Sequence, residues 1–428
     1  CACLGMFTRQ LDVKTAFLYA NLDEDIYIRV PAGIRGAEAL RRCRGPYLRL
    51  KKSLYGLKQA PRNWFKLLRD FLIAEGFTNL HSEACLFVKY IEGAMILIII
   101  FVDDILVACK DQTLLEAVVQ KFAKRFNIKD SGEVNLYLSI NIKMRRDEHK
   151  VELDQLDYIM AMWKRFNGVE SRSVQSPLQE NWRIHPDDEI AGESDVDREY
   201  ASAFPYRELV GSLLFIQMCT RGDISYPAHY LSRFLSKPPK SACLAAKRVL
   251  QYLYNTRDRK LVLGGTTRPL LNLFCDTDWA ACQVTRKSVE CYQLYFGEGC
   301  IMWCTKQQNN IAQSTAEAEY CCLTPGVNQV RWVRSILHEL GVGYCRATPV
   351  YTDNTTAQNF VENPVHHSRM KQLHWKFLNL RELSEWHVIV CGKIATAVNP
   401  AYLGTKPLGA IATERKSQVF FEGLSHLD

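Results

Sequence analysis

The stretch AMILIIIFVDDILVA, residues 94–108, decides how the first part of this chain folds. An apolar run ends in two adjacent acids, Asp103 and Asp104, and a second apolar run starts at Ile105. A membrane-spanning helix needs about 20 apolar residues, so this shorter run predicts a buried strand, a tight turn and another strand. Two acids between buried strands repel each other and lose hydration, which a bound cation would offset. Because Asp also suits turns, an ordinary hairpin is equally open from this stretch alone.

A third acid strengthens the metal interpretation. Asp12 follows Leu11 in a short strand-like run, although a lone acid of this kind is more often a surface residue. Phosphoryl transfer with two metals needs carboxylates from different strands to converge on hard cations. Non-local strand pairing could bring Asp12 to Asp103, so the acids form a candidate nucleotidyl-transfer site.

Composition fits several domains with packed cores. The 428 residues are 47% hydrophobic and 23% charged, and the net charge of +8 suits a nucleic-acid partner without requiring one. The sixteen cysteines include no Cys-x-x-Cys pair, and no signal peptide precedes them. We therefore expect reduced, packed thiols rather than zinc ligands or disulfides. Cys1, in place of an initiator Met, predicts a fragment.

Three regions separate along the chain. Alternating strand-like and helical runs up to about residue 140 predict an α/β or α+β domain. Residues 141–265 contain an acidic stretch, 179–200, expected to be a solvated linker. A helical, basic stretch follows, with eight Lys/Arg against one acid between positions 231 and 260. A new α/β pattern fills residues 266–428. Predicted helices are Ala60–Ala74, Leu114–Phe126 and Thr315–Leu323, and predicted strands include Ala94–Val102, Leu270–Cys275 and Pro349–Thr352.

Several segments together carry a family resemblance. They are QLDVKTAF at 10–17, LKKSLYGLKQAPRNW at 50–64 and FVDD at 101–104, in that order. Together they resemble the reverse transcriptase of copia-type (Pseudoviridae-like) LTR retrotransposon Pol polyproteins. YRELVGS at 206–212 and KRVLQYL at 247–253 extend the resemblance over essentially the whole chain.

The resemblance implies a multidomain α+β and α/β fold. Residues 1–140 would form a reverse transcriptase palm, an antiparallel sheet with helices, with partial fingers. Residues 141–265 would form a helical thumb or connection, and residues 266–428 a ribonuclease H-like α/β domain.

The resemblance also implies roles in the first domain. Asp12 and Asp103 would bind two Mg²⁺ ions, or Mn²⁺, with Asp104 supporting the site. Phe17 would be the steric gate that excludes a ribose 2′-hydroxyl, although a plain core aromatic is the alternative. Gln59 would lie near the incoming deoxynucleoside triphosphate. The basic stretch would hold the duplex of RNA template and DNA primer through its backbone.

A second set of acids lies in the last region. Asp276 and Asp353 end predicted strands, and Glu319 lies on a predicted helix. Glu317 and Glu319 lie about 200° apart on a helix, and the apolar residues cluster on the side of Glu319, which predicts that it points inward. Each acid alone could be a surface charge. The resemblance assigns Asp276, Glu319 and Asp353 to the two-metal site of ribonuclease H, which hydrolyses the RNA strand of an RNA/DNA hybrid. Asp278 is the weaker candidate.

Some residues depart from the family pattern. Tyr402 takes the place of a fourth carboxylate, and a phenol is neutral at pH 7. Pro325 falls within the helix that follows Glu319, where an interior proline costs about 3 kcal/mol. Ser139 takes a usual glycine position and Gly222 a usual proline position. These departures predict an element copy that has accumulated changes.

Two functions stay open at this point. One is an RNA-directed DNA polymerase fused to ribonuclease H, and the other is a non-catalytic or domesticated protein that binds RNA/DNA hybrids. The intact acids at 12, 103 and 104 favour the first, whereas Tyr402 and Pro325 favour loss of the nuclease. The start at Cys1 predicts weak or absent extension by this fragment. The resemblance implies cytoplasmic virus-like particles, or the nucleus, and no membrane partner.

Overall fold

An antiparallel sheet of six strands organises the first part of the chain in the computed structural model. The structure describes residues 1–427 except 32, 34–36, 39–41, 43–44, 167, 169–173, 185–193 and 363–378. The first strands are β1 (Phe7–Val13), β2 (Tyr27–Arg29), β3 (Tyr47–Arg49), β4 (Thr78–Asn79), β5 (Leu86–Ile91), β6 (Ala94–Phe101), β7 (Asp104–Cys109) and β8 (Ile128–Asp130). The sheet order is β4-β5-β6-β7-β1-β8, and β2 and β3 form a separate ribbon.

The predicted apolar strand lies inside this sheet. β6 pairs with β5 on one side and β7 on the other. Ile96, Ile98 and Ile100 are buried in one core, whereas Ile99 is 40% exposed. Successive side chains of a strand point to opposite faces, so one face of the sheet is covered and the other meets solvent.

Two helices cover the buried face, α1 (Ala60–Ala74) and α2 (Gln112–Arg125). Trp64, Leu68 and Leu72 recur every four residues and are buried, which explains why α1 packs along one stripe. Pro61 lies in the first turn, where it is tolerated because its missing N–H has no partner there. Asp111 caps α2 by accepting from the N–H groups of Thr113 and Leu114.

Contacts within the chain divide it into two units. The first comprises Cys1, Gly5–Val134 and His338–Val342, and the second comprises Ala2–Leu4, Asn135–Leu337 and the chain from Gly343 onward. The predicted boundary at residue 265 falls within the second unit. The division into three domains therefore stays a prediction.

The second unit begins with a small sheet and a group of helices. Its strands are β9 (Leu136–Tyr137), β10 (Ile140–Arg145), β11 (Lys150–Asp154) and β12 (Leu261–Gly264), in the order β12-β11-β10-β9. The helices are α3 (Leu156–Arg165), α4 (Asp195–Ala203), α5 (Tyr206–Cys219), α6 (Ser225–Ser232) and α7 (Lys240–Asn255). Leu213, Ile216, Val249 and Leu253 are buried in one shared core. The helical character predicted for the stretch that follows the acidic segment is confirmed.

Most described residues of the predicted linker 179–200 are exposed, as a solvated segment would be, but part of the stretch is packed or helical. Ile184 is buried, and the ring of Trp182 packs edge-on against Tyr230 with centroids 6.0 Å apart. Helix α4 begins within the stretch, where the Ser194 hydroxyl accepts from the N–H of Asp197. Acidic side chains are favourable in a first helical turn, so an acidic composition does not exclude a helix. Residues 185–193 of this prediction lie outside the described residues.

A mixed sheet of five strands forms the rest of the second unit. Its strands are β13 (Leu271–Asp278), β14 (Val289–Phe296), β15 (Gly299–Gln307), β16 (Thr348–Thr352) and β17 (Ile389–Lys393). The order is β15-β14-β13-β16-β17, antiparallel from β13 to β15 and parallel from β13 to β17. The accompanying helices are α8 (Thr315–Glu339), α9 (Thr355–Glu362), α10 (Asn379–Glu385) and α11 (Ala410–Glu422). This mixed sheet with helices agrees with the α/β pattern predicted for residues 266–428.

Helix α8 continues through Pro325 and is far longer than the predicted Thr315–Leu323. Leu323, Val327 and Val330 are almost fully buried on this helix. Burial of one such side chain contributes about 1.5–3 kcal/mol, so three outweigh the roughly 3 kcal/mol cost of an interior proline. Pro325 therefore does not end the helix.

Within the described residues, no helix is both long and apolar enough to span a membrane.

Candidate active sites

The register of two strands brings the first set of acids together. Asp12 on β1 is the cross-strand partner of Asp104 on β7. Paired residues of neighbouring strands point to the same face, so these two carboxylates share one side of the sheet. On its other side, Asp12 is the cross-strand partner of Lys129. Asp103 occupies the turn between β6 and β7, next to both.

The charges of these acids act on one another. The pKa of Asp104 is raised, first because burial removes water and then because Asp103 and Asp12 repel its charge. A cation between the carboxylates would relieve both effects. Asp12, Asp103 and Asp104 are spread more widely than the ligands of a bound ion, because their carboxylate oxygens do not all lie within 4.8 Å of one another.

Phe17 lies in a short 3-10 turn, Ala16–Tyr19, in the segment that follows β1. Its ring is only 9% exposed, and Tyr55 covers it with ring centroids 4.6 Å apart. Tyr55 is half-exposed, and its pKa is raised by burial and by the charges of Asp103 and Asp12. Sequence reasoning missed Tyr55, because nothing local in LKKSLYG indicates that its phenol would meet acids from two other segments.

Gln59 lies at the N-terminal end of α1. Its side-chain amide donates to Glu24 Oε1 at 2.7 Å. The structure thus places Gln59 beside a carboxylate from the loop before β2, and its predicted role near a nucleotide stays a prediction.

The second set of acids converges closely. One oxygen from each of Asp276, Glu319 and Asp353 lies within 4.8 Å of the other two. Asp276 belongs to β13, and Asp353 follows β16. Because β13 and β16 are parallel neighbours, their carboxyl ends meet at one edge of the sheet. Glu319 reaches the same edge from α8, and its 5% exposure confirms that it points inward.

Each of these carboxylates is held by hydrogen bonds. Thr405 Oγ1 donates to Asp276 Oδ2 at 2.5 Å, and Thr396 Oγ1 donates to Asp353 Oδ2 at 2.6 Å. Glu319 accepts from the backbone N–H of Thr277 at 3.0 Å and from Thr352 Oγ1 at 3.2 Å. Partners of this kind orient ligands around a metal. None was predicted as a site residue, because they come from distant segments.

Burial and mutual repulsion raise the pKa of the central acids. The pKa of Asp276 rises to about 6, chiefly through loss of solvent and further through Asp353, while Thr405 and Lys406 oppose the rise. The pKa of Glu319 is well above its usual range, through burial and the charges of Asp276 and Asp353. Three hard oxygen ligands that repel one another in a buried place fit a divalent cation such as Mg²⁺ or Mn²⁺.

Neighbouring residues fall outside this cluster. Asp278 pairs with Arg183, whose Nη2 lies 2.8 Å from Oδ2, so its charge is already neutralised. Glu317 accepts from the N–H of Gln313 at 2.8 Å on the helix exterior. At Tyr402, the Lys406 ammonium lies 4.1 Å from the centroid of the phenol ring. The phenol thus makes a cation–π contact, and the prediction that it replaces a fourth carboxylate stays a prediction.

The basic stretch between positions 231 and 260 is largely engaged within its own unit. Its ion pairs are Lys240–Asp197, Arg259–Glu414 and Lys260–Glu152. Lys247 lies over the rings of Tyr200 and Phe204, and Arg257 donates to the carbonyl of Tyr254. The stretch therefore offers fewer free cations to a phosphate backbone than its composition suggests.

Comparison with known proteins gives consistent similarities. Residues 2–180 match the family described as reverse transcriptase (RNA-dependent DNA polymerase). The chain is 33% identical over 406 residues to the retrovirus-related Pol polyprotein from transposon TNT 1-94 of Nicotiana tabacum, covering 95% of this chain but 30% of that protein. It is 30% identical over 323 residues to a putative transposon Ty5-1 protein of Saccharomyces cerevisiae, covering 75% of this chain and 100% of that protein.

The similarity to solved structures is low, and one of them serves as an example. It is the foamy viral protease-reverse transcriptase in complex with double-stranded DNA, with 11% identity and a TM-score of 0.23, covering 94% of this chain and 61% of that one. A likeness of this size carries no argument.

Proposed function

The chain belongs to the reverse transcriptase family of copia-type retrotransposon Pol polyproteins, and we propose from this that it is an RNA-directed DNA polymerase with a ribonuclease H site. Its substrates would be an RNA template, a DNA primer and deoxynucleoside triphosphates, and then the RNA/DNA hybrid. The chain spans about 30% of the length of the tobacco relative. The activities of a whole Pol polyprotein are therefore only proposed for this chain.

In the first unit, Asp12 and Asp103 would hold two divalent cations, with Asp104 beside them. Such cations, when bound, activate the primer 3′-hydroxyl and stabilise the leaving pyrophosphate. The observation that carries this proposal is the pairing of Asp12 with Asp104, with Asp103 in the adjoining turn. It supplies carboxylates from separate strands on one side of the sheet.

The aromatic pair beside the acids would select the sugar. Phe17 packs on Tyr55, and Tyr55 is close enough to Asp103 and Asp12 for their charges to raise its pKa. Rings in this place would exclude a ribose 2′-hydroxyl from the nucleotide site. Gln59 would contact the nucleotide after releasing Glu24, since its amide now donates there.

In the second unit, Asp276, Glu319 and Asp353 would hold the cations that hydrolysis of the RNA strand needs. The close convergence of the three acids and the raised pKa values of Asp276 and Glu319 support cation binding. Tyr402, with Lys406 over its ring, argues for weak cleavage because the site lacks a fourth negative ligand. Cytoplasmic virus-like particles, or the nucleus, stay the predicted location.

Primer extension on an RNA template with Mg²⁺ tests the polymerase. We expect weak extension that falls below detection in Asp103→Asn, since removal of a metal-binding acid disables the site as a unit. Asp70→Asn, which alters an exposed acid on α1, is the matched control and should extend like the wild type. Hybrid binding without extension by the wild-type chain would instead favour the non-catalytic binding protein.

A further inference from the structure

We propose that Trp64 is a positioning residue that holds the turn carrying Asp103, through a hydrogen bond from its indole N–H. The inference rests on the proposed polymerase site and adds a residue to it. This hydrogen bond does not reach Asp12 or Asp104. Trp64 acts through the backbone of Val102, the residue before Asp103.

The turn has a backbone that needs support. Phe101 pairs with Asp104, so Val102 and Asp103 alone connect β6 to β7. Val102 has a φ of 55°, whereas Asp103 is not among the residues with positive φ. A positive φ at the first central residue alone is the pattern of a type II′ turn, where glycine is preferred. A β-branched residue in the left-handed region is a true outlier, which persists only where its surroundings fix it.

Two hydrogen bonds fix this turn. The indole Nε1 of Trp64 donates to the carbonyl oxygen of Val102 at 2.6 Å. The backbone N–H of Val13, next to Asp12, donates to the carbonyl oxygen of Asp103 at 2.9 Å. One bond thus ties the turn to helix α1 and the other ties it to β1. Together they fix the backbone from which the Asp103 carboxylate projects.

The donor is itself held in place. Trp64 is 1% exposed, and its ring contacts Tyr19 and Phe126 at centroid distances of 6.1 and 5.4 Å. A donor with so little freedom orients its acceptor strongly, because no side-chain entropy is lost when the bond forms. The simpler alternative is that Trp64 only fills the core. That alternative requires its volume but not its N–H.

Trp64→Phe separates the two roles, because it keeps an aromatic ring and removes the donor. Trp303→Phe is the matched control: Trp303 Nε1 donates to the carbonyl of Gln217 at 2.8 Å, in the second unit. As a second variant, 3-benzothienylalanine at position 64 keeps the two-ring shape and replaces the N–H by sulfur. Each is made in a full chain carrying Asp276→Asn and Glu319→Gln, which removes the other acid cluster.

The main readout is Mn²⁺ affinity, measured by electron paramagnetic resonance and corrected with Asp103→Asn. We expect Trp64→Phe and the benzothienyl analogue to weaken the affinity about tenfold or more, as loss of a residue that orients a metal ligand does. Trp303→Phe should leave it unchanged. Adding Val102→Gly to Trp64→Phe should restore part of the affinity, because glycine adopts this φ without support.

Wild-type affinity in both Trp64 variants would overturn the proposal, and so would the absence of any Mn²⁺ binding that depends on Asp103. Primer extension by the wild type and by the same Trp64 variants, made this time in a chain whose second acid cluster is intact, keeps the two proposals apart. Weakened Mn²⁺ affinity with no extension even by the wild type would refute the polymerase and leave the positioning role standing. Extension by the wild type with unchanged Mn²⁺ affinity in both Trp64 variants would support the polymerase and refute the positioning role of Trp64.

Discussion

At the level of single residues, the pKa of Asp276 links cation binding to pH. It rises from its usual value of 3.8 to about 6 in the folded chain. The metal-free folded state therefore binds more protons than the unfolded state between these values, and its stability falls as the pH rises through them. A bound cation needs the deprotonated carboxylates and removes this penalty.

The first prediction follows from that sign. Mn²⁺ should raise the melting temperature of the second unit more at pH 7.5 than at pH 5, because protons no longer compete with the cation. Differential scanning fluorimetry measures the two shifts. A chain with Asp276→Asn and Glu319→Gln is the control and should lose the difference. Equal shifts at both pH values in the wild type would contradict the assignment.

In the proposed nuclease site, Tyr402 is the residue that the resemblance places where the family has a fourth acid. Tyr402→Asp should increase cleavage of the RNA strand in an RNA/DNA hybrid, because it adds a carboxylate where Lys406 now lies over a neutral ring. Gel analysis of a labelled hybrid in Mg²⁺ measures the rate. Tyr402→Phe controls for loss of the phenol and should give no gain. If Tyr402→Asp cleaves no faster than the wild type, the missing acid is not what limits the site.

Turns and short helices are the elements in which the sequence and the backbone disagree. Leu138 and Ser139 connect β9 to β10, with φ values of 50° and 64°. Positive φ at both central residues is the pattern of a type I′ turn, which favours glycine at the second position. The sequence pattern also marked Ser139 as a replaced glycine, so the strain has a visible origin.

Ser139→Gly should stabilise the second unit by roughly 0.5–1 kcal/mol. Relief of the left-handed conformation contributes about 1–2 kcal/mol, and the greater freedom of glycine in the unfolded chain offsets part of it. Urea unfolding followed by circular dichroism measures the change. Ser236→Gly, in an exposed loop of the same unit without a positive φ, should be neutral or slightly destabilising. A destabilising effect of Ser139→Gly would contradict the turn geometry.

The 3-10 turn at Pro400–Gly404 sets the position of Thr405. A Cβ on Gly404 would lie 2.3 Å from Cys291 Sγ and 2.6 Å from Thr305 Oγ1. Gly404→Ala should therefore cost about 1–3 kcal/mol of stability, as overpacking does. It should also weaken Mn²⁺ binding, because the adjoining Thr405 donates to Asp276. Gly343→Ala has open space around it and is the control. Wild-type stability of Gly404→Ala would refute the close packing.

Local patterns predicted the regular elements well. Helix α1 has the predicted bounds, Ala60–Ala74, because its apolar spacing and Pro61 are local signals. Helix α8 was predicted too short, since tertiary burial outweighs the proline. Gly222 stands at a usual proline position of the family. Glycine suits this place because a Cβ there would lie 2.4 Å from the ring of Phe420. Such a contact joins distant parts of the chain and leaves no local signal.

The acids of both sets could be predicted from the sequence, but the residues around them could not. The six metal-binding candidates follow from acids at strand ends and from the resemblance. Tyr55, Trp64 and Thr405 do not, although Tyr55 packs on Phe17, Thr405 donates to Asp276 and Trp64 donates to the backbone just before Asp103. Their roles depend on strand register and helix packing, which a single sequence does not specify.

At the scale of the whole molecule, the chain contains two acid sets in two separate units. Each unit has its own core and its own edge where carboxylates gather. Changes in one set should leave the chemistry of the other intact, since each set belongs to its own unit.

The most direct test of the central claim is single-nucleotide incorporation by Asp12→Asn, Asp103→Asn and the double variant, with primer–template affinity measured alongside. If carboxylates from β1 and the β6–β7 turn form one cation site, each single variant loses incorporation while keeping affinity. The double variant is then no worse than either single one, as for residues that act as a unit. Incorporation that survives in Asp12→Asn, or losses that multiply in the double variant, would contradict the account.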